Sequence, residues 1–235
     1  MVEEAVPLSG VGLPGPPDFP SSAYEAVRQH LKSTPAASAA AWPHFNGGWN
    51  GMAFRFLCCA EHDDSFTGSV QRSGTAPAMP ERYIQERELF AFFVTGLSAV
   101  ESFHFAAHAI AACVQPLAFP MSTDEELRQL TIGTIATRFA AVFPGDPLTV
   151  AMTTLRADKE LSDWQSIRNI LAHRLAPGRT HYARVGGSPA GLESTTWLKG
   201  IPIDLATTAS RRSWLAGVIT DMVQAADGFV RRHVR

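Results

Sequence analysis

The sequence has few cysteines and almost no net charge, and each scarcity excludes a class of protein. Its three cysteines are Cys58, Cys59 and Cys113. An odd number leaves one unpaired, and adjacent side chains on a helix point about 100° apart, so we expect reduced thiols and no disulfide framework. The 20 Lys and Arg residues nearly balance 22 Asp and Glu residues, which gives a formal net charge of -2. Any contact with nucleic acid must therefore come from a local basic cluster.

The sequence also lacks the segments that direct a chain to or across a membrane. Residues 1–20 are rich in Pro and Gly and contain neither a basic region nor an apolar signal core, so we expect a flexible leader ahead of a single domain over 21–235. The longest uncharged apolar stretch, 102–119, is interrupted by His104 and His108 and is too polar for a membrane span. We interpret it as part of a buried central helix. A cytoplasmic protein with no membrane partner is expected.

What the sequence does contain is helical periodicity. Apolar residues recur every three or four positions, and hydrophobic residues make up 46% of the chain, enough for a sizeable core. Helices are predicted over 21–34, 49–66, 80–113, 122–142, from 147, over 161–175 and over 209–234. Asn46, Gly47 and Gly48 are interpreted as a turn, and the weak alternation within 179–204 predicts a small hairpin or flap. The chain is therefore predicted to be all-α, an up-and-down bundle of four to five long helices.

One predicted helix, 161–175, carries chemically specific residues. Its apolar residues share one face, whereas Asn169 and His173, four apart, lie on the opposite side and Arg168 lies at the boundary. The negative end of the helix dipole should raise the pKa of His173 toward neutrality or above, where imidazole both takes and gives protons. Arg168 offers a planar cationic fork for a phosphate, and Asn169 could orient the imidazole or donate to an oxyanion.

The same region is the local basic cluster that the overall charge conceals. No Asp or Glu occurs from Trp164 to Leu192. Besides Arg168, this stretch contains the basic residues Arg174, Arg179, His181 and Arg184. We therefore predict that these four residues contact RNA or a nucleotide.

The pair Arg168 and His173, separated by four residues of which the first is Asn169, resembles the catalytic signature of the HEPN superfamily of ribonucleases. The resemblance implies a metal-independent endoribonuclease without a cofactor, in which two copies of the motif meet in a homodimer. His173 would then be the general acid or base, Arg168 would stabilise the charge on phosphorus, and Asn169 would position them. HEPN toxins paired with nucleotidyltransferase antitoxins carry Tyr two residues after the His. Leu175 stands there in this chain, which argues against that pairing, although another antitoxin or regulatory partner stays open.

Three other interpretations remain. In the first, Arg168 and Arg174 are merely solvated and His173 is merely a partner of the helix dipole. In the second, a silent HEPN-like bundle binds a nucleotide, RNA or a protein through the same basic face.

The third is a metal-binding bundle that uses Glu101, His104 and His108, which share one helix face. Such sites need a second Glu-x-x-His step, which this chain lacks. We therefore expect either that this polar stripe satisfies its hydrogen bonds internally, or that Glu101, with His104 as an auxiliary residue, reaches Arg168 or His173 from the neighbouring helix and orients it.

Overall fold

The computed structural model describes residue 12 and residues 15–34, 41–173, 178–183 and 192–235. The helices described there are Ser21–Ser33 (α1), Ala41–Ser73 (α2), Met79–Val114 (α3), Asp124–Arg128 (α4), Ile132–Val142 (α5), Pro147–Arg156 (α6), Lys159–His173 (α7) and Ala206–His233 (α8). Strands Thr180–Ala183 (β1), Leu192–Trp197 (β2) and Ile201–Pro202 (β3) form a small antiparallel sheet between α7 and α8. The all-α helical bundle is confirmed.

α2 and α3 form a long antiparallel helical hairpin, and here one prediction is wrong. The Asn46-Gly47-Gly48 segment does not turn but continues α2. A Cβ at Gly48 would lie 2.9 Å from Phe105 Cδ1 and 3.0 Å from the Ala106 nitrogen on α3. Gly48 is therefore needed for close approach of two helices, so the glycine does not mark a chain reversal.

The predicted helix over 122–142 is in fact two helices. Thr123 and Glu126 form a capping box at the start of α4, as expected. A second capping box, formed by Thr131 and Thr134, starts α5. The N-cap residue of α5, Thr131, has an extended backbone, so the helix is interrupted there. The sequence does not predict this interruption, because the helical period of apolar residues continues across Thr131. The break places residues 130–133 along the wall of a cleft beside α3.

α3 is the central helix of the bundle, as predicted. It packs against α2, α5, α7 and α8. By length and mean hydropathy, 1.4 over its most apolar window, α3 could cross a membrane. The buried core helix of a soluble protein meets the same criterion, and 56% of that window is buried inside the bundle.

α7 is held on α3 by Trp164. Its fully buried ring lies 5.2 Å from the rings of both Phe92 and Phe93, centroid to centroid. Gly96 leaves the space that this ring fills, because a Cβ there would lie 2.2 Å from Trp164 Cζ3. The Trp164–Gly96 contact therefore fixes how far along α3 the next turn of α7, with Arg168, is placed.

The packed part of the chain includes residues upstream of the predicted boundary at Ser21. Phe19 is buried against Tyr24 and Phe56. Asp18 forms an ion pair with Arg212 on α8, Oδ2 to Nε 2.9 Å. The earlier part of the predicted leader, apart from residue 12, lies outside the described residues.

Candidate functional site

An open cleft of about 760 Å³ lies where α2, α3 and α7 meet the α4–α5 junction. Five of its lining residues carry charge or an amide: Arg55 from α2, Glu101 from α3, and Gln165, Arg168 and Asn169 from α7. The rest of the wall includes Gly47, Gly48, Ser98, Ser102, Phe105, Leu130, Thr131, Ile132 and Gly133. The wall is thus polar and built on packed helices, as a positioned site requires.

Arg168 is held in this cleft by Glu101. Its Nη2 donates to Glu101 Oε1 at 2.5 Å, and the two side chains are 27% and 42% exposed. Arg168 Nε has no hydrogen-bond partner among the described residues. The contact expected between Glu101 and Arg168 is present, and the Arg168 side chain, still 27% exposed on the cleft wall, can also meet a second anion.

Arg55 is a second guanidinium on the cleft wall, and its Nη1 donates to Ser102 Oγ at 2.9 Å. Burial raises the pKa of the Glu101 carboxyl, while the positive charges of Arg168 and Arg55 oppose that rise. With two guanidinium groups against one carboxylate, the cleft has a positive balance near neutral pH. An anionic ligand is favoured there.

The three residues of the motif are described to different extents. Arg168 and Asn169 both line the cleft, and the Asn169 side chain is exposed. His173 is the last residue of α7, four residues after Asn169, but its side chain lies outside the described residues. The geometry therefore brings Arg168, Asn169 and Glu101 together and leaves the position of the imidazole open.

Arg179 does not belong to an RNA-binding surface, and this prediction is corrected. Its side chain is fully buried. Its Nη1 donates to Gln85 Oε1 at 2.9 Å and to the Thr75 carbonyl oxygen at 3.0 Å, and its Nε donates to Glu86 Oε1 at 3.2 Å. Burial lowers its pKa, which Glu86 opposes. Arg179 anchors the sheet to the start of α3.

The other predicted RNA contacts are not gathered at the cleft. His181 is exposed on β1, and its Nδ1 lies 3.1 Å from Thr195 Oγ1. It is not among the residues that line the cleft. Arg174 and Arg184 lie outside the described residues.

Glu101, His104 and His108 share a helix face but not a site. His104 is fully buried in the core and donates from Nδ1 to the Val100 carbonyl oxygen at 2.9 Å, so it does not reach the cleft as an auxiliary residue. His108 donates from Nε2 to the Pro120 carbonyl oxygen at 3.1 Å. Burial lowers the pKa of both imidazoles to about 4. Within the described ranges, no group of three or more His, Cys, Asp or Glu residues could hold a metal ion.

Sequence reasoning missed Arg55, Ser102 and the α4–α5 junction as parts of the site. Arg55 and Ser102 stand in no motif, and they meet only because α2 packs along α3. The Thr131-x-x-Thr134 capping pattern was the available signal for the junction. No protein-family model matches this chain, and the searches of curated proteins and of solved structures also return no match.

Proposed function

We propose that this chain is a HEPN-like, metal-independent endoribonuclease whose active site is the cleft that holds Arg168 and Asn169. The observation that carries the proposal is the Arg168 guanidinium, fixed by Glu101 from a neighbouring helix and directly beside Asn169 in an open cleft. A solvated arginine would have no such partner, and its side chain would sample many rotamers. Holding the fork in place removes that entropy cost before a phosphate arrives.

The proposed reaction is attack by the ribose 2′-oxygen on the adjacent phosphorus. The new O2′–P bond forms as the P–O5′ bond breaks, which leaves a 2′,3′-cyclic phosphate and a 5′-hydroxyl. The proton of the 2′-hydroxyl passes to the neutral imidazole of His173, and an imidazolium gives a proton to the leaving 5′-oxygen. In a homodimer the two imidazoles would come from the two copies of the chain.

Arg168 and Asn169 act on the charge that develops in this reaction. The non-bridging oxygens gain negative charge as phosphorus becomes five-coordinate, and a fixed guanidinium stabilises it more than a mobile one would. Asn169 would donate to the same oxygens or orient the imidazole. Glu101 is a positioning residue, since it contacts Arg168 and takes no proton in the reaction.

The experiment is incubation of mixed-sequence RNA in EDTA with wild-type protein and with the variants Arg168→Ala, His173→Ala and Glu101→Gln. We expect cleavage by the wild type to yield cyclic-phosphate ends, and the first two variants to lose at least about 100-fold in rate. Glu101→Gln should be about 10-fold slower, with an unchanged melting temperature, because the amide keeps the volume but loses the ion pair.

The matched control is Arg231→Ala, which removes an exposed arginine of α8 that does not line the cleft. Its rate should equal that of the wild type. Equal cleavage by all the proteins would identify a contaminating nuclease and contradict the proposal. RNA binding without any cleavage would support the silent-bundle interpretation instead.

A further inference from the structure

A second cavity, of about 470 Å³, lies beside the cleft. Thr131 and Gly133 line both cavities, so the two share a wall at the start of α5. The far part of the second cavity carries Arg138 from α5 and Arg156 at the end of α6, together with the hydroxyls of Thr134 and Thr137. The first cavity therefore continues into a second one whose wall is also basic.

The charge along the joined cavities differs from that of the whole chain. The described residues that line the two cavities carry four guanidinium groups, Arg55 and Arg168 in the first and Arg138 and Arg156 in the second, and one carboxylate, that of Glu101. The whole chain has a net charge of -2. A groove with an excess of positive charge on a slightly acidic protein attracts a polyanion locally.

The arginines of the second cavity have hydrogen-bonding capacity to spare. Arg138 Nη1 is buried and has no hydrogen-bond partner within the described part of the chain. Arg156 uses Nη1 to donate to Thr137 Oγ1 at 2.9 Å. The nearby Glu126 carboxylate, which feels the charge of Arg138, accepts from the backbone amides of Ser122 and Thr123. Among the described residues, neither guanidinium forms a close ion pair, whereas Arg179 pairs with Glu86.

We propose that the second cavity binds backbone phosphates of single-stranded RNA next to the phosphodiester that lies against Arg168. A strand with one phosphate per nucleotide fits two basic cavities in series, whereas a mononucleotide would occupy only one. The described residues that line the second cavity supply hydroxyls, an amide and guanidinium groups, and none of them is aromatic. The cavity thus contacts the backbone without stacking on bases, which gives length dependence without sequence preference. This inference rests on the proposed function, because it assigns the substrate's flanking nucleotides.

Gly133 gives a way to block the junction without disturbing the helix. It lies in the first turn of α5, and a Cβ there would meet only Thr131 Oγ1 at 3.9 Å and Arg156 Nε at 4.0 Å, which are ordinary contacts. Gly133→Leu therefore places bulk at the shared wall without backbone strain. Gly217 on α8 is the matched control, because a Cβ there would meet nothing within 4 Å.

The test measures binding and cleavage separately. Binding of a fluorescein-labelled single-stranded RNA of about 12 nucleotides is titrated across salt concentrations, with all proteins carrying His173→Ala so that the probe stays intact. Cleavage of the dinucleotide UpA is measured with His173 present. The variants are Arg138→Gln with Arg156→Gln, and Gly133→Leu. Their controls are Arg72→Gln with Arg231→Gln, which changes net charge equally, and Gly217→Leu.

We expect the Arg138–Arg156 double variant to bind the long RNA at least about 10-fold more weakly, with a salt slope shallower by about 1.4. Gly133→Leu should weaken binding similarly. The Arg138–Arg156 double variant should cleave the dinucleotide at the wild-type rate, since this substrate does not reach the second cavity. The two controls should match the wild type in both assays.

The outcomes separate the two proposals. Long-RNA binding by the double variant equal to that of its control, or equal losses on both substrates, would overturn the inference and leave the ribonuclease proposal standing. If the protein binds RNA in a way that depends on Arg138 and Arg156 but never cleaves it, the proposed RNA binding in the second cavity is supported and the proposed ribonuclease activity is overturned. Failure of the protein that carries only His173→Ala to bind the labelled RNA, together with no cleavage of RNA by the wild type, would overturn both.

Discussion

At the residue scale, Arg168 and Arg179 differ in a way that sequence alone did not distinguish. Both stand in the acid-free stretch after Trp164, and both were interpreted as basic surface residues. Arg168 meets Glu101 and stays on an open cleft, whereas Arg179 is buried against Glu86. The carboxylates come from α3, 67 and 93 residues away. The sequence could suggest Glu101 as a partner because α3 had a visible polar stripe, but it carried no signal for Glu86.

His104 predicts how stability depends on pH. Burial lowers its pKa to about 4 from a model-peptide value of 6.5, so the unfolded chain takes up a proton at higher pH than the folded chain does. Stability is therefore greatest above about pH 6.5 and falls as the pH decreases toward 4. On acidification from about pH 7 to about pH 5, His104 alone should lower the free energy of unfolding by about 2 kcal/mol. His108 has a similar pKa shift and should lower it further.

The measurement is urea unfolding of wild type and His104→Gln at these two pH values. Gln does not titrate, so the variant should be less stable at neutral pH but should lose about 2 kcal/mol less than the wild type on acidification. The carboxylates that titrate in this range are common to both proteins. Identical losses in the two proteins would contradict the neutral, buried imidazole.

At the element scale, a glycine can mark either a turn or a close contact between two helices, and the sequence does not distinguish these two roles. Apolar periodicity predicted most of the helices because it reports the buried face directly. The sequence around Gly48 indicates a turn and the sequence around Gly96 gives no signal, yet both glycines lie inside helices where a neighbouring helix approaches closely. Only the packed structure shows that the facing side chains are Phe105 and Trp164.

Gly96→Ala should therefore destabilise the fold and move α7. The added Cβ would lie 2.2 Å from Trp164 Cζ3 and 3.1 Å from Cys59 Sγ, and the Trp164 ring is fully buried against Phe92 and Phe93. We expect a loss of about 1–3 kcal/mol in the free energy of unfolding. The displaced ring should also disturb the Arg168–Glu101 pair on the next turn and slow RNA cleavage.

The matched control is Gly217→Ala in α8, where the new methyl group meets nothing within 4 Å. That change should stabilise the protein by about 0.4–1 kcal/mol, because alanine restricts the unfolded chain. Chemical denaturation of both variants, read by tryptophan fluorescence, gives the comparison. Equal stabilities for Gly96→Ala and Gly217→Ala would mean that the α3–α7 contact is not close.

At the scale of the whole molecule, the fold was more predictable than the site. The helical period of apolar residues and the capping patterns involve residues close together in the chain, so they can be recognised from a single sequence. The cleft depends on four chain segments that are brought together by packing, and two of its residues, Arg55 and Ser102, had no local signal. The overall charge of -2 also concealed a groove with an excess of positive charge. A homodimer that brings two copies of His173 together stays a proposal at this scale.

The central claim is that the cleft uses a ribose 2′-hydroxyl to cleave RNA. The most direct measurement uses a DNA oligonucleotide with a single ribonucleotide in its middle, incubated with the wild-type protein in EDTA. We expect one cut, on the 3′ side of that ribonucleotide, with a 2′,3′-cyclic phosphate on one product and a 5′-hydroxyl on the other, and no cut with His173→Ala. Cleavage at deoxynucleotide positions, or a product with a 5′-phosphate, would contradict it.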